Sequence, residues 1–264
     1  MKSKPVILKL GGSVITDKSK PSTPNLRAMR RLASEVSHAN VLPLILVHGG
    51  GSYGHPEAKA HRITEGLKDK AQLVGFSKTH EAMVSLNKLV VESLLNEGVP
   101  AFGMAPSSFV ITKTGRIHFF EETPLKRAVD TGLVPVLYGD AVLDIEQGFA
   151  ILSGDQIAAW LATKMRAEKL IMGVDVDGLF TDDPKKDASA SLIKHVTLAE
   201  IQSLKERVGG TLVTDVTGGM LGKISELTLP VSQGVQTLVV NALKPDNVYK
   251  ALRGVDVVGT RIEP

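Results

Sequence analysis

Continuous apolar runs alternate with amphipathic stretches along this chain. Val6-Ile7-Leu8-Lys9-Leu10, Leu42-Pro43-Leu44-Ile45-Leu46-Val47, Leu133-Val134-Pro135-Val136-Leu137, Lys169-Leu170-Ile171-Met172-Gly173-Val174 and Thr237-Leu238-Val239-Val240 are short and rich in branched residues. They do not alternate polar with apolar, so each predicts a strand buried on both faces. Between them the period becomes helical. Leu26, Met29, Leu32, Ala33 and Val36 mark a helix over 26–38. Ala82, Met83, Leu86, Leu89, Val90 and Leu94 mark another over 78–97, stopped by Gly98 and Pro100. Residues 155–165 and 219–233 also read as helices. This succession predicts an α/β fold, a three-layer αβα sandwich with a mainly parallel central sheet. Two stretches depart from it. Phe109 to Thr112 and Arg116 to Phe119 flank Lys113-Thr114-Gly115 and predict a β-hairpin, while the polar stretch Thr181 to Ala190 predicts a loop.

The 264 residues suffice for one large domain or two tightly joined lobes. A boundary near residue 168 separates the third run from the fourth, giving lobes 1–168, with the hairpin near 108–120, and 169–264 on one continuous sheet. Hydrophobic residues make up 43%, which excludes wholesale disorder. Aromatic residues at 4% argue against a base-stacking surface, and a net charge of +3 without a long Lys/Arg run argues against a nucleic-acid partner. The absence of cysteine excludes disulfides, thiolate metal sites and cysteine nucleophiles. Met1 to Pro5 lead directly into the first strand, and no apolar run approaches ~18 residues, so the expectation is a cytoplasmic protein without a membrane partner.

In a parallel sheet the carboxyl ends of the strands share one edge, where ligands bind. Gly11-Gly12-Ser13, Gly49-Gly50-Gly51-Ser52, Gly139-Asp140 and Asp175-Val176-Asp177-Gly178 should therefore converge. Lys9 beside Gly11-Gly12-Ser13 sets a cation against bare backbone that can approach a phosphate; the alternative is a tight turn after a strand. His48 to Pro56 carries four glycines in the six positions 49–54. Its glycine spacing, with no fitting acid downstream, weakens a dinucleotide-binding dehydrogenase reading. An anion cradle with His55 at its far end fits better, while His48 reads as structural. Asp215 to Lys223 is similar to a phosphate loop but lacks Walker spacing, with Thr217 out of place and Ile224 after the lysine; a helix start with an exposed lysine is the alternative. Asp155 opens a helix, either as a capping acid or as an anion between Lys9 and Lys223.

Together, and in this order over nearly the whole chain, Leu8 to Lys18, His48 to Pro56, Tyr138-Gly139-Asp140, Ser153-Gly154-Asp155, Asp175 to Thr181 and Asp215 to Lys223 resemble the amino acid kinase superfamily. Gly51-Ser52-Tyr53-Gly54-His55-Pro56 resembles its isopentenyl phosphate kinase group more specifically. The resemblance implies ATP-dependent phosphorylation of isopentenyl phosphate in isoprenoid biosynthesis, on an alternative mevalonate route, with Mg²⁺ and a homodimer. It also implies an acceptor-binding first lobe and a nucleotide-binding second lobe. Lys9, Gly11, Gly12 and Ser13 would hold ATP phosphates, and Lys18 would stabilise the transferring group. Gly50 and His55 would bind the acceptor phosphate, with Gly51 touching ATP. Gly154 would lie beside the acceptor, and Asp155 would organise the lysines. Asp175, Asp177, Gly178, Phe180, Thr181 and Asp183 would cradle the nucleotide, with Gly219 and Lys223 on its phosphates. Tyr53 stands where phenylalanine is common in the group, and Gly50 where alanine can occur; neither alters the charge pattern.

Such an acceptor, with a second pKa near ~6, is already a dianionic nucleophile and needs no general base. Repulsion is the obstacle. Four unit-charge pairs at ~4 Å and an effective dielectric of ~20 sum to roughly 16 kcal/mol, which calls for several cations. His55 then serves as a hydrogen-bond donor. Phe76, Thr79, His80 and Met83 stand nearest the expected alkenyl pocket, or are ordinary core. Competing readings are a kinase of the same fold acting on fosfomycin, a nucleoside monophosphate or an amino acid carboxylate, and a non-catalytic nucleotide sensor. A sensor could discard Lys18, His55 and Lys223, yet all three are present.

Overall fold

A computed structural model describes residues 3–181, 189–201 and 217–264, without the side chains of 217–223. Each predicted apolar run contains a strand. Eight strands make one sheet, in the order His195–Thr197, Gly259–Glu263, Gln236–Asn241, Lys169–Val174, Val6–Leu10, Leu44–His48, Val134–Tyr138 and Ala101–Gly103. Gln236–Asn241 runs antiparallel to Gly259–Glu263, and the other neighbours are parallel. Val6–Leu10 pairs with Leu44–His48 on one side and Lys169–Val174 on the other, so the sheet crosses residue 168 without a break.

Successive strand side chains point to opposite faces, and the two cores divide accordingly. Ile7, Ile45 and Val47 pack with Ile157, Leu161 and Leu227 from helices Gly154–Lys164 and Thr217–Ser232. Val6, Leu8, Leu44 and Leu46 pack with Met29, Leu32, Met83, Leu86 and Val248 from helices Leu26–Ala39, Ala71–Asn96 and Asn247–Arg253. Helices thus cover both faces, as the three-layer expectation required. Among the described residues no helix is long and apolar enough to cross a membrane.

A second sheet orders Arg116–Phe120, Val110–Lys113, Asp140–Asp144 and Gly148–Leu152. Its first two strands are the predicted hairpin; the last two form another hairpin that the apolar pattern does not announce. Asp144 ties the hairpins together. Its Oδ1 accepts from the backbone N–H groups of Thr114, Glu146 and Gln147, and its Oδ2 from Gly115 N–H and the Thr112 hydroxyl. Burial pushes this carboxyl up, but the bonds from Gly115, Thr112, Gln147 and Glu146 outweigh it and hold the pKa at about 2.

The helix expected over 78–97 begins earlier, at Ala71. Asp69, one residue ahead of the N-cap Lys70, supports this start, its Oδ1 accepting from Ala71 N–H at 2.8 Å and Gln72 N–H at 3.3 Å. Gly75, a weak helix former, interrupts the pattern there. A Cβ at that position would stand 2.3 Å from Cβ of His61, so packing dictates the glycine.

Candidate active site

Side-chain parity fixes the first element of the site. Lys9 shares a strand face with Ile7, so its side chain runs beneath the helix Gly154–Lys164 rather than into the opposite core. Its Nζ lies 2.6 Å from Asp155 Oδ1, with the lysine side chain 3% exposed. That oxygen is buried and accepts no hydrogen bond among the described residues, so the ammonium charge is what compensates it. Ser153 caps the helix by accepting from Gln156 N–H, which leaves Asp155 free of the capping duty.

Two glycine loops meet beside this pair. A Cβ at Gly12 would fall 2.2 Å from Gly51 N, and one at Gly51 would fall 2.1 Å from Thr16 Oγ1. Backbone therefore lies directly against backbone, and Gly51 also has φ +50. Gly11 N–H donates to Gly173 O at 2.8 Å, and Gly49 N–H to Leu10 O at 3.0 Å. Those two amides join the loops to the sheet, so the Gly11 N–H is already engaged.

One cleft collects most of the predicted residues. Lys9, Gly11, Gly12, Ser13, Lys18, Gly50, Gly51, His55, Gly154 and Asp155 all line it. Its cavity volume is about 170 Å³, open to solvent at the mouth. Thr79, Met83, Ile151 and Leu152 add a largely apolar wall. Phe76 lies apart from the lining, stacked on Phe149. Gly154 packs against the second strand, where a Cβ would stand 2.8 Å from His48 O.

The remaining predicted residues continue past Val174. Lys18, 66% exposed, reaches within 4.0 Å of Asp175 Oδ2. Asp177 accepts from Lys244 Nζ at 2.8 Å and Asn241 Nδ2 at 3.0 Å, and the Lys244 bond chiefly lowers its pKa. Gly178 at φ +151 passes against Thr260. Phe180 pairs with Leu192 in a short antiparallel ladder, where Thr181 N–H donates to Ser191 O. Unlike Lys18, the residues from Asp175 to Thr181 do not line the cleft. Gly219 and Lys223 fall in the helix Thr217–Ser232, with their contacts outside the described residues, as is Asp183.

His48 proves structural. It is fully buried, stacked on Tyr138, and burial pushes its pKa down to about 4. Asn87 Nδ2 donates to Nε2, so Nδ1 carries the proton and donates to Gly49 O. The sequence places Asp140 at the shared sheet edge and His80 near the expected alkenyl pocket, but it gives neither their pairing nor Lys244. Asp140 lines the cleft with its side chain wholly buried and accepts from His80 Nδ1 at 2.9 Å. The two are 60 residues apart, so no local spacing could pair them. Lys244 follows a strand end, a signal that was available but unused.

The sequence profile of the amino acid kinase family matches residues 4–241. An isopentenyl phosphate kinase from Methanothermobacter thermautotrophicus is 42% identical, over 97% of this chain and 98% of that protein. One from Methanocaldococcus jannaschii is 35% identical over the same shares. A solved structure of an isopentenyl phosphate kinase superposes with a TM-score of 0.86 at 38% identity, covering 98% of this chain and 99% of that one.

Proposed function

The chain belongs to the amino acid kinase family, in its isopentenyl phosphate kinase group, and we propose that it transfers the γ-phosphoryl group of ATP to isopentenyl phosphate. An acceptor phosphate oxygen forms the new P–O bond, the bond to the β-phosphate oxygen breaks, and isopentenyl diphosphate and ADP leave. The observation that carries this reading is a single cleft joining Lys9, Lys18, two glycine loops and His55 to the wall of Thr79, Met83 and Ile151. Cations and bare backbone suit phosphates, and the apolar wall suits a short alkenyl tail.

Lys9 is a fixed cation for the ATP phosphates, with Gly12, Ser13 and Gly51 as close-approach backbone. Lys18 stabilises the transferring group. Gly50 and His55 hold the acceptor phosphate, and Gly154 borders it. Asp175, Asp177, Gly178, Phe180, Thr181 and Asp183 line the nucleotide's path, with Gly219 and Lys223 toward its phosphates. Residues 1–168 thus hold the acceptor and reach the ATP phosphates, and 169–264 carry the rest of the nucleotide. Asp155, Asp175 and Asp177 are each within ion-pair reach of a lysine, and no group of three or more metal-ligating side chains occurs among the described residues. That arrangement fits a Mg²⁺ carried on the nucleotide, with Asp175 the carboxylate most open to it; when bound it neutralises phosphate charge. The same reading carries a homodimer.

The test is an ADP-release assay with isopentenyl phosphate, dimethylallyl phosphate, fosfomycin, UMP and N-acetylglutamate in parallel. Isopentenyl phosphate should give the highest kcat/KM. Turnover confined to the last three would overturn the proposal.

A further inference from the structure

Three elements meet on one buried carboxylate beside the cleft. Asp140 Oδ1 accepts from His80 Nδ1 at 2.9 Å and from Ala141 N–H at 2.9 Å, and Oδ2 accepts from Ser107 N–H at 3.1 Å. His80 comes from the long helix Ala71–Asn96, Asp140 from the strand Asp140–Asp144, and Ser107 from the turn Pro106–Ser108. His80 does not line the cleft, but its helix neighbours Thr79 and Met83 do, as do Gly139, Asp140 and Gly154 opposite. Met83 also bears on the glycine cradle. A Cβ at Gly50 would lie 3.0 Å from Met83 Sδ, and one at Gly54 2.7 Å. The position of this helix therefore sets the position of Gly50 and, through Gly54, of His55.

We propose that His80 is a positioning residue for the phosphate-monoester acceptor: clamped to Asp140, it holds Thr79 and Met83, and with them the Gly50–His55 cradle, at the working distance from Gly139 and Gly154. The inference rests on the function proposed above. It also gives His80 a second task, because an unpaired carboxylate lining the cleft would repel a dianionic acceptor.

The pair responds to pH in a defined direction. The hydrogen bond that His80 donates to Asp140 chiefly raises the His80 pKa; burial opposes it, and the charges of Asp140 and of Glu81 on its own helix assist. Ser107 presents a hydroxyl 3.4 Å from Nδ1. A raised histidine pKa means that the charged clamp is complete below the ordinary value near ~6.5 and is lost as pH rises through the raised one. The acceptor phosphate, with a second pKa near ~6, is already dianionic over that interval.

The test compares wild type with His80→Asn, which keeps a donor near the Nδ1 position without a charge, and His80→Leu, which removes it. Initial rates with isopentenyl phosphate and ATP are measured from pH 7 to 9. His80→Leu should raise the acceptor KM by roughly tenfold to a hundredfold with the ATP KM within about twofold of wild type, and His80→Asn should restore most of the loss. The wild-type acceptor KM should rise across the interval only as far as that of His80→Asn, because neutral His80 still donates from Nδ1, and that of His80→Asn should stay flat. An unchanged acceptor KM in His80→Leu, equal loss in both variants, or a matching rise in the ATP KM would each overturn the role. A wild type that turns over no phosphate monoester would sink the functional reading and this inference with it, whereas an active wild type indifferent to His80→Leu sinks this inference alone.

Discussion

Replacing Lys9 and Asp155 singly and together separates what their pair does for folding from what it does for chemistry. The charged atoms are 2.6 Å apart, with the lysine side chain 3% and the aspartate 18% exposed. At an effective dielectric of about 20, that separation corresponds to an attraction of about 6 kcal/mol. Withdrawing the two ions from water costs several kcal/mol each, so the intact pair adds little net stability over an apolar replacement. A single substitution is different, because it removes the attraction and strands the other buried charge. Asp155→Asn and Lys9→Met should therefore each lose about 3–5 kcal/mol. The double variant Lys9→Met/Asp155→Asn strands no charge and should recover most of that loss, for a coupling energy of at least about 5 kcal/mol. Urea unfolding at neutral pH reads the stabilities, and ADP release reads kcat. The double variant should fold nearly as well as wild type yet remain at least about a hundredfold down in kcat, since the cation proposed for the nucleotide phosphates is gone. A double variant as unstable as the sum of the singles would refute the charge-compensation account, and so would an Asp155→Asn protein of wild-type stability.

Three further outcomes follow from the geometry. Asp144→Asn should destabilise the protein by about 2 kcal/mol at neutral pH in urea melts. The wild-type advantage is present above the ordinary carboxylate value of 3.8 and is lost as pH falls through about 2, so the two melts should converge in acid; a constant gap would contradict the linkage. His55→Gln, which keeps a donor, should retain at least about tenfold more kcat/KM for isopentenyl phosphate than His55→Ala, whereas equal collapse would argue against a donor role. Gly51→Ala should cost more than about 2 kcal/mol, because its Cβ meets Thr16 Oγ1 at 2.1 Å. Gly98→Ala, also at positive φ but with nothing within 4 Å, should cost only about 1 kcal/mol, and calorimetric Tm values that fail to rank the two this way would remove the packing argument.

The sheet was legible because burial on both faces leaves a compositional trace. Val6 to Leu10 and Lys169 to Val174 are nearly unbroken apolar runs, and turns punctuated by glycine sit at their carboxyl ends. The strand Asp140–Asp144 left no such trace. It has a polar residue at each end, and its acids are buried by hydrogen bonds rather than by apolar neighbours, so Gly139-Asp140 reads as a strand end. Gly75 hid the start of the long helix for a similar reason, since the residue answers a contact with His61 that no local pattern encodes. Within the cleft, the residues that could be read were those whose chemistry is announced by type and neighbourhood: a lysine before paired glycines, a histidine after a glycine run. The His80–Asp140 clamp could not be, because partners 60 residues apart are joined by topology alone.

The acids explain how several cations can wait along one sheet edge. Lys9 faces Asp155, Lys18 faces Asp175 and Lys244 faces Asp177. Without those partners, converging ammonium groups would repel one another by about 4 kcal/mol for each pair at ~4 Å and an effective dielectric of ~20. With them the six charges cancel, which agrees with a net charge of only +3 for the whole chain. The pairs differ in strength, and the difference divides their tasks. Lys9 is buried at 2.6 Å from its partner and cannot leave it cheaply, so in the proposed function it is the fixed post against which phosphates are placed. Lys18 is 66% exposed at 4.0 Å, a separation and exposure at which an ion pair contributes about 0–1 kcal/mol. An arriving phosphoryl group carries more charge than one carboxylate and can draw Lys18 away from Asp175 at small cost. A fixed cation that positions and a loosely held one that follows the moving charge are what transfer between two anions requires, with no base needed for an acceptor that is already ionised.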